Sequence, residues 1–269
     1  MDLGLRDRVA IVGGASQGIG RATAKMLAAE GCRVVMAARG EAALAESVSA
    51  LKVILANKHP GSGPLLAVPC DMSSPADIKR LVARTGAEFG GIDIIVNNAG
   101  GPPLGTFEQH DDEAWRKAFD TNLMSVVWMV RESLPYVKQS PQGRIINITS
   151  TAVKEPIDGL ILSNSVRLGT TGLAKTQSRE LGPHGITVNN VGPGLTLTDR
   201  IRPLFEAQAK AQGRSFDDVR AEREARIPVR RIGEPEDVAA MIVFLASAQA
   251  RQVSGQTILV DGGATGAVL

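Results

Sequence analysis

Two residues four apart raise the first chemical possibility in this 269-residue chain: Ser163 and Arg167, in the stretch SNSVR. At that spacing they share one face of a helix. One reading makes Ser163 or Asn164 an N-cap, with Arg167 a solvated charge in the first turn. The other sets a hydroxyl and a guanidinium side by side toward a reacting group. A second cluster lies near the N-terminus, where GGASQGIG (13–20) joins an apolar run to a helical one. Gly14, Gly18 and Gly20 tolerate positive φ and lack the Cβ that would block a pyrophosphate, and backbone N–H groups from Gly14 through Ser16, Gln17, Ile19 and Gly20 open a helix N-terminus that favours anions. Close helix–strand packing is the alternative use of such glycines. The strand–loop–helix context points to a dinucleotide.

The choice of dinucleotide falls at the end of the second strand. An NAD site usually places a carboxylate there to hold the ribose 2′-OH. Here the position holds Ala38 followed by Arg39. Loss of the acid removes repulsion against a 2′-phosphate, and a guanidinium can bind that phosphate bidentately. NADP is therefore expected in preference to NAD.

The elements that must position these residues alternate. RVAIVGG (8–14), RVVMAA (33–38), LLAVPCD (65–71), IDIIVNNAG (92–100), RIINITS (144–150), ITVNNVGPG (186–194) and TILVDGG (257–263) read as strands, several running into Gly-rich or polar loops. Helical patterns cover 20–31, 41–58, 74–90 and 161–181. HPGSGP (59–64) is a turn and no more, since the pattern resumes at once. The strands are near-continuous Val, Ile and Leu, as expected when helices cover both faces of a parallel sheet. The fold class is thus α/β, a doubly wound parallel sheet in one domain spanning 1–269. In such sheets ligands bind outside the carboxyl ends of the strands.

Composition narrows the function classes. Thirty Lys and Arg against twenty-eight Asp and Glu leave +2, which favours neither nucleic acid nor a membrane surface. No signal-peptide pattern opens the chain and no apolar run reaches a membrane span. Cys32 and Cys70 form no C-x-x-C, and His59, His110 and His184 are scattered, so no metal site and a reducing, cytoplasmic setting are expected.

Together these residues resemble the short-chain dehydrogenase/reductase superfamily from about residue 5 to residue 263. The glycine motif is present with Gly13 where the family has threonine. The acid that contacts adenine falls on Asp71, beside Met72. N-N-A-G is intact at Asn97–Gly100, so Asn98, Ala99 and Gly100 line the cofactor in this resemblance. The family's helix asparagine falls on Asn122 and its serine on Ser150. P-G-x-x-x-T is intact at Pro193, Gly194 and Thr198, with Thr196 between them, where the family holds the nicotinamide carboxamide. The C-terminal part is similar to 3-oxoacyl-carrier-protein-reductase-like members. The resemblance implies a small carbonyl or alcohol substrate, an acyl-carrier-bound substrate being one version, a homo-tetramer, and a substrate lid over about 195–231. That lid carries nine basic and six acidic residues from Asp199 through Arg231, readable as a face for an anionic carrier or as a solvated helix pair.

The family's Tyr-x-x-x-Lys pair lies thirteen residues beyond the serine, which here is Ser163 with Arg167. Tyr136, the one tyrosine of the chain, precedes Ser150 and cannot realign. An aliphatic hydroxyl is a far weaker acid than a phenol, and Arg167 can bind ribose hydroxyls or an oxyanion but cannot relay a proton. Losing general acid catalysis typically costs about 10²–10⁴ in rate. Lys154, Glu155 and Asp158, in the loop after Ser150, are further candidate donors. Two functions fit: an NADP-dependent oxidoreductase whose proton supply is rebuilt around Asn122, Ser150, Ser163 and Arg167, or an NADP-binding sensor or partner subunit without turnover.

Overall fold

The computed structural model describes residues 2–268. Seven strands form one parallel sheet in the order β3-β2-β1-β4-β5-β6-β7: β1 (Val9–Gly13), β2 (Arg33–Ala38), β3 (Leu65–Pro69), β4 (Ile94–Asn97), β5 (Arg144–Ile148), β6 (Thr187–Pro193) and β7 (Thr257–Val260). The order reverses between β1 and β4, and the crevice this opens at their carboxyl ends is where an open α/β sheet takes its ligand. The strands run into loops at their carboxyl ends, as the sequence predicts. The run 92–100 pairs only over Ile94–Asn97, and 144–150 only over Arg144–Ile148. Asn98–Gly100 leaves the sheet as a loop, while Thr149 N–H still donates to the Val191 carbonyl at 2.7 Å before Ser150 opens a short 3₁₀ turn.

Helices cover both faces because each strand is apolar on both. On one side α1 (Gly18–Ala29), α2 (Glu41–Lys58) and α9 (Pro235–Ala246) bury Leu27, Leu44, Leu51 and Ile242 against Val34, Met36 and Ile94. On the other, α3 (Pro75–Phe89), α5 (Ser125–Val137) and α6 (Ile161–Leu181) bury Ile78, Leu81, Met129 and Ala174 against Val35, Ile95 and Ile145. Each such aliphatic side chain contributes about 1.5–3 kcal/mol on leaving water. α3 shows how local sequence sets the ends: the Ser74 hydroxyl accepts from Asp77 N–H, Pro75 opens the first turn, and Gly90 closes the helix in the left-handed region.

Between α3 and α6, α4 (Asp112–Phe119) runs into α5 through a π-turn over Asp120–Met124. After β6, α7 (Arg202–Gln212) and α8 (Phe216–Glu224) pack on a small core of their own, Leu197, Phe205, Ala209, Val219, Ile227 and Ile232. Their charges pair with one another or with a neighbour: Arg214 with Glu222, Arg220 with Glu224, Arg226 with Glu222, and Arg231 with Asp237, while Arg202 lies over the Phe216 ring. Four of the nine basic residues of the segment are thus paired with carboxylates. No helix among the described residues is long and apolar enough to cross a membrane.

Candidate active site

At the β1–β4 crevice the chain passes from β1 into α1 through the glycine loop. An ideal Cβ on Gly20 would strike the Gly14 carbonyl oxygen and stand 2.9 Å from Asn98 Nδ2. A Cβ on Gly13 would stand 2.6 Å from the Asn98 carbonyl oxygen. The departure from the family's threonine therefore has a local cause: here the β4 loop comes too close for any side chain. Asn98 Nδ2 donates to the carbonyls of Gly13 at 3.1 Å and Gly14 at 3.5 Å, so this asparagine fixes the loop's shape with the amide that the sequence assigns to the cofactor. No side chain caps α1 at Gln17. A glycine cradle in front of a helix N-terminus that its own N-cap residue leaves unfilled fits a dinucleotide diphosphate.

Around this cradle the other expected cofactor residues gather. Arg39 is exposed just past β2 and makes no ion pair or hydrogen bond among the described residues, leaving its guanidinium free for a 2′-phosphate. Asp71 stands past β3, with one carboxylate oxygen accepting from Ser73 N–H and Oγ–H; Met72 is buried beside it. Gly194 N–H donates to the Val260 carbonyl and Thr196 Oγ to the Gly194 carbonyl, which pins the P-G-x-x-x-T segment beside β7. The Thr198 methyl lies against the glycine loop, 3.4 Å from a Cβ built on Gly18.

The second cluster is carried by α6. Its N-cap is Leu160, so Ser163 lies inside the first turn and caps nothing. Asn164 is occupied elsewhere, exchanging hydrogen bonds with the backbone of Ile157. The capping reading of SNSVR is thus overturned. Ser163 is buried (7% exposed), and its hydroxyl makes no hydrogen bond among the described residues. One turn on, Arg167 Nη1 donates to the carbonyls of Ile148 at 2.9 Å and Thr149 at 2.8 Å, the two residues that lead from β5 into Ser150. Burial, and then the positive charge of Arg200, push the Arg167 pKa down to about 10, so it stays cationic at neutral pH.

Ser150 Oγ accepts from Ala152 N–H at 3.1 Å, which leaves its own proton free to donate into the cleft. Asn122 sits in the π-turn, where the ordinary helical ladder is interrupted. Thr170, three residues after Arg167, donates its hydroxyl to the Asn122 carbonyl at 3.0 Å. Asn97, Asn122, Ser125, Arg167 and Thr170 line one small polar pocket below the cleft. Asn122 and Arg167 therefore share one pocket at the carboxyl ends of β4 and β5, with Ser150 directly after the Thr149 carbonyl that Arg167 holds; Ser163 is buried one turn before Arg167 on α6.

The remaining candidate donors do not join them. Lys154, Glu155 and Asp158 are exposed, and Glu155 accepts from Gly266 N–H of the C-terminal segment. Tyr136 ends α5 with its ring against Gly86 of α3, on the far side of the helix layer. No group of three or more His, Cys, Asp or Glu able to hold a metal ion occurs among the described residues.

Sequence reasoning missed three groups. Asn97, Asn147 and Asn190 form an amide ladder across β4, β5 and β6, at 2.8 and 3.0 Å, ending on Thr257 Oγ of β7 at 3.0 Å. The signal was available: an asparagine near the carboxyl end of three otherwise apolar strands. Thr170 carries no signal apart from its place one turn beyond Arg167. Asp199 and Arg200, which follow Thr198, also reach into this region.

A family model described as enoyl-(acyl carrier protein) reductase matches residues 14–265. The 3-oxoacyl-(acyl-carrier-protein) reductase of Escherichia coli is 35% identical over 256 residues, 95% of this chain and 96% of that one. Among solved structures, the L-sorbose reductase of Gluconobacter frateurii complexed with NADPH and L-sorbose superposes with a TM-score of 0.92 at 30% identity, covering 98% of both chains. An NADPH-bound short chain oxidoreductase of Pseudomonas aeruginosa containing an atypical catalytic center superposes with a TM-score of 0.86 at 31% identity, covering 97% of this chain and 99% of that one.

Proposed function

This chain belongs to the short-chain dehydrogenase/reductase family, and we propose that it is an NADP-dependent oxidoreductase of a small carbonyl or alcohol in which Ser163 and Arg167 replace the usual tyrosine and lysine. The observation that supports this reading is the hold of Arg167 on the Ile148 and Thr149 carbonyls just before Ser150, in a pocket shared with Asn122 and with Asn98, which braces the glycine cradle. When bound, the nicotinamide supplies or accepts hydride. Ser150 donates its free proton to the substrate oxygen and orients the carbonyl. Arg167, anchored by one nitrogen to the end of β5, offers its remaining N–H groups to ribose hydroxyls or to negative charge developing on that oxygen. Ser163 is the hydroxyl nearest in sequence register to the missing phenol, and as an aliphatic hydroxyl it does not replace the phenol as an acid; water restores the proton that Ser150 gives up. The paired charges of α7 and α8 support a lid over a small substrate more than a docking face for an acidic carrier.

The test is NADPH consumption across a panel of small ketones and an acetoacetyl thioester. Slow turnover that Ser150→Ala abolishes is the expected result. A second reading, a cofactor-binding protein without turnover, is favoured by the placement of Tyr136 outside the cleft. Tight NADPH binding with no consumption on any of these probes decides for it.

Cofactor choice has its own expectation. Arg39→Ala should weaken NADPH by about 1–3 kcal/mol, the range for charge-assisted hydrogen bonds, and leave NADH nearly untouched. Calorimetric titration with both nucleotides checks this; equal wild-type affinities would refute it. Assembly is a further part of the proposal, as a homo-tetramer or at least a dimer. Phe119 and Leu168 are exposed beside Gly169 and Gly172, small residues that admit a partner helix, and β7 is a half-buried edge strand. Light scattering at micromolar concentration should give a multiple of 28.3 kDa, and a monomer would refute it.

A further inference from the structure

The segment after Thr198 bridges the two walls of the cofactor crevice with adjacent, opposite charges. Asp199 reaches the phosphate-loop wall, where its Oδ2 accepts from Gly18 N–H at 3.1 Å. That amide begins α1, so the carboxylate stands where a helix N-terminus offers itself to an anion. Arg200 reaches the opposite wall. Its Nη2 donates to the Pro102 carbonyl at 3.0 Å, and its Nη1 fills the space that a Cβ on Gly101 would need. Neither side chain has an ion-pair partner among the described residues. No carboxylate lines the polar pocket around Arg167. The crevice thus holds an anion of the protein's own on the phosphate loop and an uncompensated cation across from it.

A bound diphosphate reverses both preferences. Two negative charges on the glycine cradle repel the Asp199 carboxylate and attract the Arg200 guanidinium, which gains far more from a phosphate than from one carbonyl. We propose that Asp199 and Arg200 form a clasp on the cofactor diphosphate: the Asp199 carboxylate occupies the Gly18 N–H until the cofactor displaces it, and Arg200 then turns from the Pro102 carbonyl to the phosphate. This rests on the dinucleotide reading above but not on turnover or on the preference for NADP. It explains why the two residues that follow Thr198 carry opposite charges. Cofactor binding in this scheme repositions the base of the α7–α8 segment.

Calorimetric titration of the full chain with NADPH and with NADH tests it. Asp199→Asn keeps an acceptor for Gly18 N–H and removes the charge, so it should tighten both nucleotides by the same factor, about 3- to 10-fold. Arg200→Gln should weaken both equally, on the order of 10-fold. The NADPH-to-NADH ratio should hold in both variants, because the 2′-phosphate lies at the other end of the cofactor, whereas Arg39→Ala changes that ratio. Melting curves without nucleotide confirm that each variant folds, and Asp199→Ala serves as a second charge-removing variant. Unchanged or weaker binding in the charge-removing variants overturns the clasp. So does an Arg200→Gln variant that binds as wild type, or one that loses only NADPH. Wild-type protein that binds neither nucleotide instead overturns the dinucleotide reading itself.

Discussion

Ser163→Tyr combined with Arg167→Lys is expected to raise NADPH-dependent carbonyl reduction by about 10²–10⁴-fold, the range that a positioned general acid supplies. The framework for the gain is already in place. Ser163 lies in the first turn of α6, buried, with no hydrogen bond to lose. Ser150 next to the Arg167 anchor has a proton free to donate. What the cleft lacks is an acid of suitable strength. A phenol titrates near 10 and falls further beside a cation, while an aliphatic hydroxyl does not ionise in the working range.

Lysine at 167 has three donors, enough to hold the Ile148 and Thr149 carbonyls that the arginine now holds and keep one over. Arg167→Lys alone should gain little, because the acid is still missing. Ser163→Tyr alone should fall between, and the added ring costs about 1–3 kcal/mol of stability if the pocket must yield. The rate of the double variant should decline as pH rises through the phenol's titration, since the acid must carry its proton to donate it. Initial rates of NADPH consumption against pH, with melting curves alongside, measure all of this. A folded, NADPH-binding double variant no faster than its parent would place the reacting group elsewhere.

Gly20→Val should reduce affinity for either nucleotide by at least about 10²-fold, roughly 3 kcal/mol. The added Cβ meets the Gly14 carbonyl and the Asn98 side-chain amide, which itself braces Gly13 and Gly14. Neither is the free end of a flexible chain, so the loop must open and carry the first turn of α1 with it. Gly91→Ala is the matched control. A Cβ there meets nothing within 4 Å and the backbone has no positive φ, so binding should persist and the melting temperature should not fall. Titration and thermal melts of both variants are the measurement. Nucleotide binding undiminished in Gly20→Val would remove the cradle from the cofactor site.

Local sequence alone was enough for whatever depends on near neighbours along the chain. The Val, Ile and Leu runs place β2 at 33–38, and the helical pattern places α2 at 41–58 and α6 at 161–181, because apolar periodicity and turn residues act within a few positions. The spacing of GGASQGIG puts its glycines in front of a helix, and Ala38 followed by Arg39 puts a cation where a 2′-phosphate would come. The four-residue step from Ser163 to Arg167 likewise sets one helical face without any tertiary knowledge.

Which way that face turns was not readable, since a capping serine and a buried one look alike until Leu160 takes the N-cap and Asn164 binds Ile157. Tertiary structure also decided the meaning of the charges. Nine basic and six acidic residues from Asp199 through Arg231 do not say in sequence which of them pair; packing of α7, α8 and α9 brings Arg214, Arg220, Arg226 and Arg231 to Glu222, Glu224 and Asp237. The asparagine ladder, the hold of Thr170 on Asn122, and the reach of Asp199 and Arg200 to opposite walls join residues 43 to 181 positions apart. Their partners are set by sheet order and helix packing, which no local pattern encodes.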